Sequence, residues 1–361
     1  MRNTRHLAQA AGAAIAISSL VAACGSGGAH KANPSPSTTP HSTTTTPGGT
    51  SKPTHPAPPP PVSNTAGSLA VQVVTEPTGG MKQVYGLVAG AKKSVVVGAW
   101  RLNDQHLQQL LAAAQHRGVQ VQVLLDQSQG GKSANQSAYS YLSGHHVGVA
   151  WAPAGVTYQA TYMEADGATA VVGTGSFDTS TYRQPNFWLF SDNSSNAAAL
   201  VATFKADQKA TSYKPGSQSG QGLIWRPGGM PVVLGMVSSA NKEVDIETTQ
   251  LSSPTLLVMM EHAAKTHTVK VLVPKTGITS ANLAALKTAK VQVHFGGADQ
   301  ISGSVAIRDP GQKGAAMVVG SQDYATSNKT TRQLSMVTAE ANALQPVIQQ
   351  FNTAFNAAPT A

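Results

Sequence analysis

YQATYMEADGATAVVGTGSFD, residues 158–178, reads as strand, turn, strand and loop. Two runs able to form strands flank Asp166-Gly167, a dipeptide suited to a tight hairpin turn, and Gly173-Thr174-Gly175-Ser176 follows. The second half of the chain carries a counterpart, ISGSVAIRDPGQKGAAMVVGSQD at 301–323, with its turn at Asp309-Pro310-Gly311 ahead of Gly320-Ser321. Each turn accounts for its own aspartate without chemistry.

Outward from these hairpins the pattern is one of alternating strands and helices. SVVVGAW at 94–100 suits a buried strand, Asn103 or Asp104 can cap a helix carrying Leu107, Leu110, Leu111 and Ala114 on one face, and Gly118 stops it. VQVQVLL at 119–125 alternates as a strand, and a helix around 133–142 and a strand near Val147 follow. The second half repeats this order: GLVAGAKKSVVV at 86–97 lies over GMVSSANKEVDI at 235–246, and VQVLLD at 121–126 over VKVLVP at 269–274. A repeat this long exceeds the roughly 20–50 residues of solenoid units. The expected fold is α/β, two similar lobes at 67–215 and 216–361, each a mainly parallel sheet flanked by helices.

These paired segments resemble the phospholipase D superfamily, in which each of two lobes contributes H-x-K-x-x-x-x-D followed by G-S-x-N. LIWRPG at 223–228 is similar to the opening of the second lobe in secreted members, and AAAQHRGVQVQVLLD to the helix-to-strand step of the first. The resemblance covers about 69–357 and implies a phospholipase D-like fold. In the first lobe the histidine position falls on Gln159, the lysine on Thr161 and the aspartate on Asp166, with Gly173, Thr174, Gly175 and Ser176 after it. In the second lobe these positions are Ser302, Ser304 and Asp309, then Gly320, Ser321, Gln322 and Asp323. The downstream acid that orients each histidine in the family is replaced by Trp188 in Asn186-Phe187-Trp188, and by Gln333 in the second lobe.

In active members one histidine is the nucleophile on phosphorus, the other the acid for the leaving alcohol, and the lysines neutralise phosphate oxygens. A Gln amide is neither nucleophile nor titratable acid, and Thr or Ser brings no charge. Hydroxyl nucleophiles need a neighbouring base. Glu164 is the acid nearest Thr161 in sequence, but an odd spacing in a strand turns it to the other face. No catalytic residue is therefore expected. His262 and Lys265 imitate a catalytic pair within a helix, where an exposed pair is the simpler reading. His145, His146 and His294 are read as loop and surface residues, although either group can be drawn at the lobe interface. GGKS at 130–133 lacks the glycine of a phosphate loop, where this chain has Asp126.

The charge of +9 comes with only 11% charged residues, so it reflects scarce acids more than a cationic stripe. Nucleic-acid binding is not expected. Arg2 and Arg5 precede LAQAAGAAIAISSLVAA, a short apolar run ending before Cys24, the single cysteine. This is the form of an export signal, and Val21-Ala22-Ala23-Cys24 resembles a bacterial lipobox that would lipidate Cys24. Residues 25–66, rich in Pro, Thr, Ser and Gly, have almost nothing to bury and read as an extended tether. Its His30, His41 and His55 are too irregularly spaced for a metal site. No metal or cofactor is expected.

The expectation is an exported lipoprotein, held to the outer face of the cell membrane, whose degenerate phospholipase D-like part binds or scaffolds. Gln159, Thr161, Thr174, Ser176, Ser302, Ser304, Ser321 and Asp323 form an inferred cleft floor, polar and largely uncharged. It suits a polar or glycan-like ligand or an envelope protein, and equally a decayed site filled by small side chains. Two other readings stay open: an active phosphodiesterase with a displaced nucleophile, and a solute-capture lipoprotein.

Overall fold

The computed structural model describes residues 71–128, 130–216, 222–297, 300–301, 303–326 and 329–361. Cys24, the leader, the tether and Ser302 lie outside the described residues. The first lobe runs β1 (Val71–Thr75), α1 (Lys82–Gly90), β2 (Ser94–Ala99), α2 (Gln105–His116), β3 (Gln120–Leu125), α3 (Gly131–Gly144), β4 (Gly148–Trp151), β5 (Thr157–Tyr158), β6 (Thr161–Ala165), β7 (Thr169–Gly173), β8 (Phe187–Ser191) and α4 (Ser194–Asp207). The second runs β9 (Leu223–Arg226), α5 (Met230–Ser238), β10 (Glu243–Glu247), α6 (Pro254–Ala263), β11 (Thr268–Val273), α7 (Ser280–Thr288), β12 (Gln292–Phe295), β13 (Ser304–Arg308), β14 (Ala316–Gly320), β15 (Thr331–Thr338) and α8 (Ala341–Ala357).

Local chemistry sets these elements as the sequence suggests. Asp104 caps α2 by accepting from Leu107 N, the helix buries Leu107, Leu111 and Ala114, and Gly118 leaves it at a φ of 90°. Ser253 caps α6 in the same way through Leu256 N, with Pro254 in its first turn.

The sheets have matching strand orders, β1-β8-β7-β6-β2-β3-β4 and β12-β11-β10-β13-β14-β15, with β9 beside β15 as β1 is beside β8. The two-lobed α/β architecture is as expected, but the sheets are mixed rather than mainly parallel. Only β2-β3-β4 and β10-β11-β12 pair in parallel within each repeat, while β6, β7 and β8, and β13, β14 and β15, run antiparallel. Parallel neighbours need a crossover helix, and the hairpins at Asp166-Gly167 and Asp309-Pro310-Gly311 have none.

Three apolar clusters order the layers. One packs α1–α3 on the outer face of the first sheet through Val95, Val97, Leu111 and Met163. A second packs α5–α7 on the second sheet through Val244, Ile246, Leu256 and Val318. The third joins the lobes: Val96, Tyr162 and Val172 from one, Val305, Ile307 and Met317 from the other, with Leu200 of α4 and Phe351 of α8. The lobes also exchange backbone. β5 leaves the first lobe to pair in parallel with β15, Thr157 N donating to Thr330 O at 2.7 Å and Gln159 N to Arg332 O at 2.9 Å.

Candidate functional site at the junction of the lobes

Strand register places the motif positions. Thr161 opens β6 opposite Gly173, the end of β7, and Ser304 opens β13 opposite Gly320, the end of β14. Thr174 Oγ1 accepts from Phe187 N at 2.9 Å, and Ser321 Oγ accepts from Leu334 N at 3.1 Å. This equivalence makes Asn186 the counterpart of Gln333. The sequence reading had set Trp188 at that place, two residues too far; Trp188 instead stacks on Phe177 at 5.0 Å. The hydroxyls of Thr174 and Ser321 thus each bond to the neighbouring strand.

Gln159 is the residue that changes the site most. Its Oε1 accepts from Gln333 Nε2 at 2.9 Å, and the same Nε2 reaches Asp323 Oδ2 at 3.0 Å. Gln333 Oε1 in turn accepts from Arg226 at 2.8 Å, and Arg226 pairs with Asp323. A continuous network thus runs from the histidine position of one lobe into the other. Asp323 is an ion-pair partner, so the floor is not the uncharged surface expected from the sequence. The bonds of Arg226 to Asp323 and Gln333 escaped that reading because these residues lie 97 and 107 positions from it in the chain and are brought together by strand pairing.

Beneath the network sits a buried pair of charges. Arg332 binds Asp207 with two bonds, 2.7 Å and 2.6 Å, donates to Lys214 O, and lies over the rings of Tyr213 and Trp225. This fork-on-carboxylate geometry is the strong form of such a pair.

The remaining motif residues are structural in their contacts. Thr161 and Ser304 are both 1% exposed, and Ser304 Oγ donates to Thr248 Oγ1 at 3.0 Å. Asp166 and Asp309 hold positive φ, 59° and 49°, at the opposite end of their strands from Thr161 and Ser304, five residues or about 16 Å along an extended chain. Asp166 accepts from the backbone N–H groups of Lys92, Lys93 and Ser94, and Asp309 from those of Asn241, Lys242 and Glu243. These donors stabilise the charged form and hold both carboxyls below their usual range against the opposing effect of partial burial.

Elsewhere, burial raises several acids, Glu76 and Glu164 among them. Glu76, opposite Asn186 and accepting from its Nδ2 at 3.1 Å, is pushed up to about 7 by desolvation. Glu164 is likewise pushed to about 7 by burial, partly offset by its bond from Gly167 N. It shares the parity of Tyr162 in the inter-lobe core, while Thr161 shares that of Met163 on the other face.

The histidines among the described residues have their contacts away from these positions. His106 meets Tyr85; His116, His145 and Tyr141 cluster at the ends of α2 and α3; His294 stacks on Phe355. His262 and Lys265 border a shallow groove between α6 and α7. At 130–133, Asp126 Oδ2 occupies the space beside Gly131, where an added Cβ would lie 2.1 Å from it, so a phosphate there would meet a carboxylate. Among the described residues there is no cluster of three metal-ligating side chains and no helix long and apolar enough to cross a membrane.

With that geometry in view, comparison with known proteins is informative. Residues 85–207 match the family model described as "Cardiolipin synthase, PLD-like domain". Phosphatidylserine synthase from Haemophilus influenzae Rd KW20 superposes with a TM-score of 0.59 at 11% identity, covering 81% of this chain and 87% of that one. Polyphosphate kinase from Porphyromonas gingivalis superposes with a TM-score of 0.60 at 10% identity, covering 78% of this chain and 50% of the kinase, so the chain spans half the kinase's length. A search of curated proteins finds no match. Residues 85–207 are thus similar to a PLD-like domain, as the first-lobe motif suggested, and the fold across both lobes is similar to that of the phosphatidylserine synthase.

Proposed function

We propose that this is a non-catalytic phospholipase D-like protein that works as a binding or scaffold module. The observation that carries this reading is the bond between Gln159 and Gln333: where the family holds a nucleophilic imidazole, an amide is tied into a neutral and ionic network between the lobes. Gln159 has no lone pair basic enough to attack phosphorus, Ser304 donates to Thr248 rather than to a base, and neither lysine position holds a cation. We further propose that the chain is exported and anchored to the outer face of the membrane through lipidated Cys24, the tether of 25–66 setting the folded part away from the bilayer.

The test pairs two measurements on the full chain. Hydrolysis of phosphatidylcholine and of a chromogenic phosphodiester is followed for the natural protein and for a variant carrying Gln159→His, Thr161→Lys, Ser302→His and Ser304→Lys. The proposal expects no turnover by the natural protein. Turnover lost on Thr161→Ala or Ser302→Ala would overturn it in favour of a displaced nucleophile. Anchoring is read from membrane fractionation, where Cys24→Ser is expected to release the protein; an unchanged distribution would reject the anchor.

A further inference from the structure

The register that places Thr161 also places two residues the motif does not include. Gly98 of β2 pairs with Tyr162 of β6, next in sequence to Thr161, and Trp100 follows two residues on, in the bend after β2. The next residues run along the loop that follows β7. Phe177 N donates to Arg101 O at 3.1 Å, and Asn103 N to Phe177 O at 2.8 Å, which sets Arg101 next to Ser176. Trp100 and Arg101 therefore stand at the rim of the former catalytic position.

Trp100 is 39% exposed, whereas Trp188 and Trp225 are fully buried. Its exposure is built into a fixed backbone. Asn135, fully buried on α3, donates from Nδ2 to Trp100 O at 2.9 Å and accepts from Leu102 N at 3.0 Å. A backbone held in this way presents the indole from a fixed point of the loop. The guanidinium of Arg101 lies over the ring, 4.9 Å from its centroid. Arg101 differs from the other arginines of this region. Arg226 and Arg332 are hydrogen-bonded to carboxylates, whereas Arg101, 19% exposed, forms a looser ion pair with buried Asp126 at 3.9 Å, beyond hydrogen-bond distance. Asp126 is itself held by Tyr158 N and Ser128 Oγ. Arg101 Nη1 makes one long bond, 3.5 Å, to Trp100 O.

We propose that Trp100 and Arg101, with Gln159 at the same rim, bind an acidic glycan at the mouth between the lobes: a sugar ring stacked on the indole, its carboxylate, sulfate or phosphate group on the guanidinium. This rests on the non-catalytic reading and supplies its ligand class. An aromatic platform with one cation and a side-chain amide suits a ring with apolar C–H faces, hydroxyls and one charge per contact. A phosphodiester held for reaction would need the two lysine positions, which here are Thr161 and Ser304. A nucleic-acid strand would need a track of cations, and Gln159 and Ser176 beside Arg101 are neutral.

The experiment applies the full chain in detergent micelles to an array of oligosaccharides bearing uronate, muramate, sulfate or phosphate groups, with neutral oligosaccharides, oligo-dT and phosphatidylglycerol vesicles alongside. Hits are titrated through Trp fluorescence. Binding is expected for acidic sugars only, at least tenfold weaker in Trp100→Ala. Arg101→Ala is expected to erase the preference for acidic over neutral members, and Arg101→Lys to restore part of it. Both side chains are partly solvated, so unchanged thermal melting separates loss of binding from loss of fold. Absence of binding to every acidic member, or equal binding by Trp100→Ala, would overturn the inference while leaving the non-catalytic reading intact. Preference for oligo-dT or vesicles would replace the glycan by that ligand. Phosphodiester turnover by the natural chain would instead remove the reading on which the inference rests.

Discussion

Gln159 and Arg332 show what single side chains do at the junction of the lobes. The first becomes a strut across the lobes, and the second a buried charge whose only carboxylate partner, among the bonds described, is Asp207. Asp207→Ala leaves that guanidinium buried and unpaired, and is expected to cost about 3–5 kcal/mol, measured by urea denaturation. A loss below about 1 kcal/mol would mean that water reaches Arg332. The acids give a signed pH response. Glu76 and Glu164 are raised to about 7 in the fold from an ordinary 4.5, so the folded state holds more protons between those values. Their contribution is complete below about pH 4.5 and is lost as pH rises through about 7. Asp166 and Asp309 are lowered, so theirs is present above the usual aspartate range and is lost as pH falls through their folded values. Melting temperature is therefore expected to be higher near pH 5 than near pH 8, and Glu164→Gln to flatten that slope. A Tm that climbs from pH 5 to pH 8 would contradict the assignment.

Among the elements, β14 and β15 are packed at their crossing with no room for a side chain. A Cβ on Gly320 would lie 2.3 Å from Leu334 O and 2.4 Å from Ser335 Cα, both backbone atoms. Gly320→Ala is accordingly expected to cost more than about 2 kcal/mol, or to leave the chain unfolded, by chemical denaturation. At this scale the sequence was largely legible. The cap at Asp104 and the apolar spacing of α2 and α6 are local features, and the internal repeat marks which strands correspond. Strand direction was less so. Alternation of strand and helix suggests parallel neighbours, but the pairing of β6 with β2 and of β1 with β8 is non-local and leaves no periodic mark. β5 spans two residues, too few for any pattern, yet it carries the first lobe onto the edge of the second.

For the whole molecule, the motif positions could be read from sequence because the fold repeats, and each position has a partner to check it against. The network among Arg226, Asp323 and Gln333 could not, because these residues take their meaning from strand pairing, and Trp100 and Arg101 stand where β2 ends in a bend. The structure gives the two lobes unlike chemistry at matching places: Glu76 faces Asn186 where Arg226 faces Gln333. A junction built from unlike halves joined by Gln159 is consistent with a fixed interface rather than a pair of equivalent reacting groups. The most direct test is turnover of a chromogenic phosphodiester by the purified full chain, with Thr161→Ala and Ser302→Ala proteins as controls. No release above the rate of buffer is predicted for any of the three; release by the natural chain that disappears in either control would contradict the account.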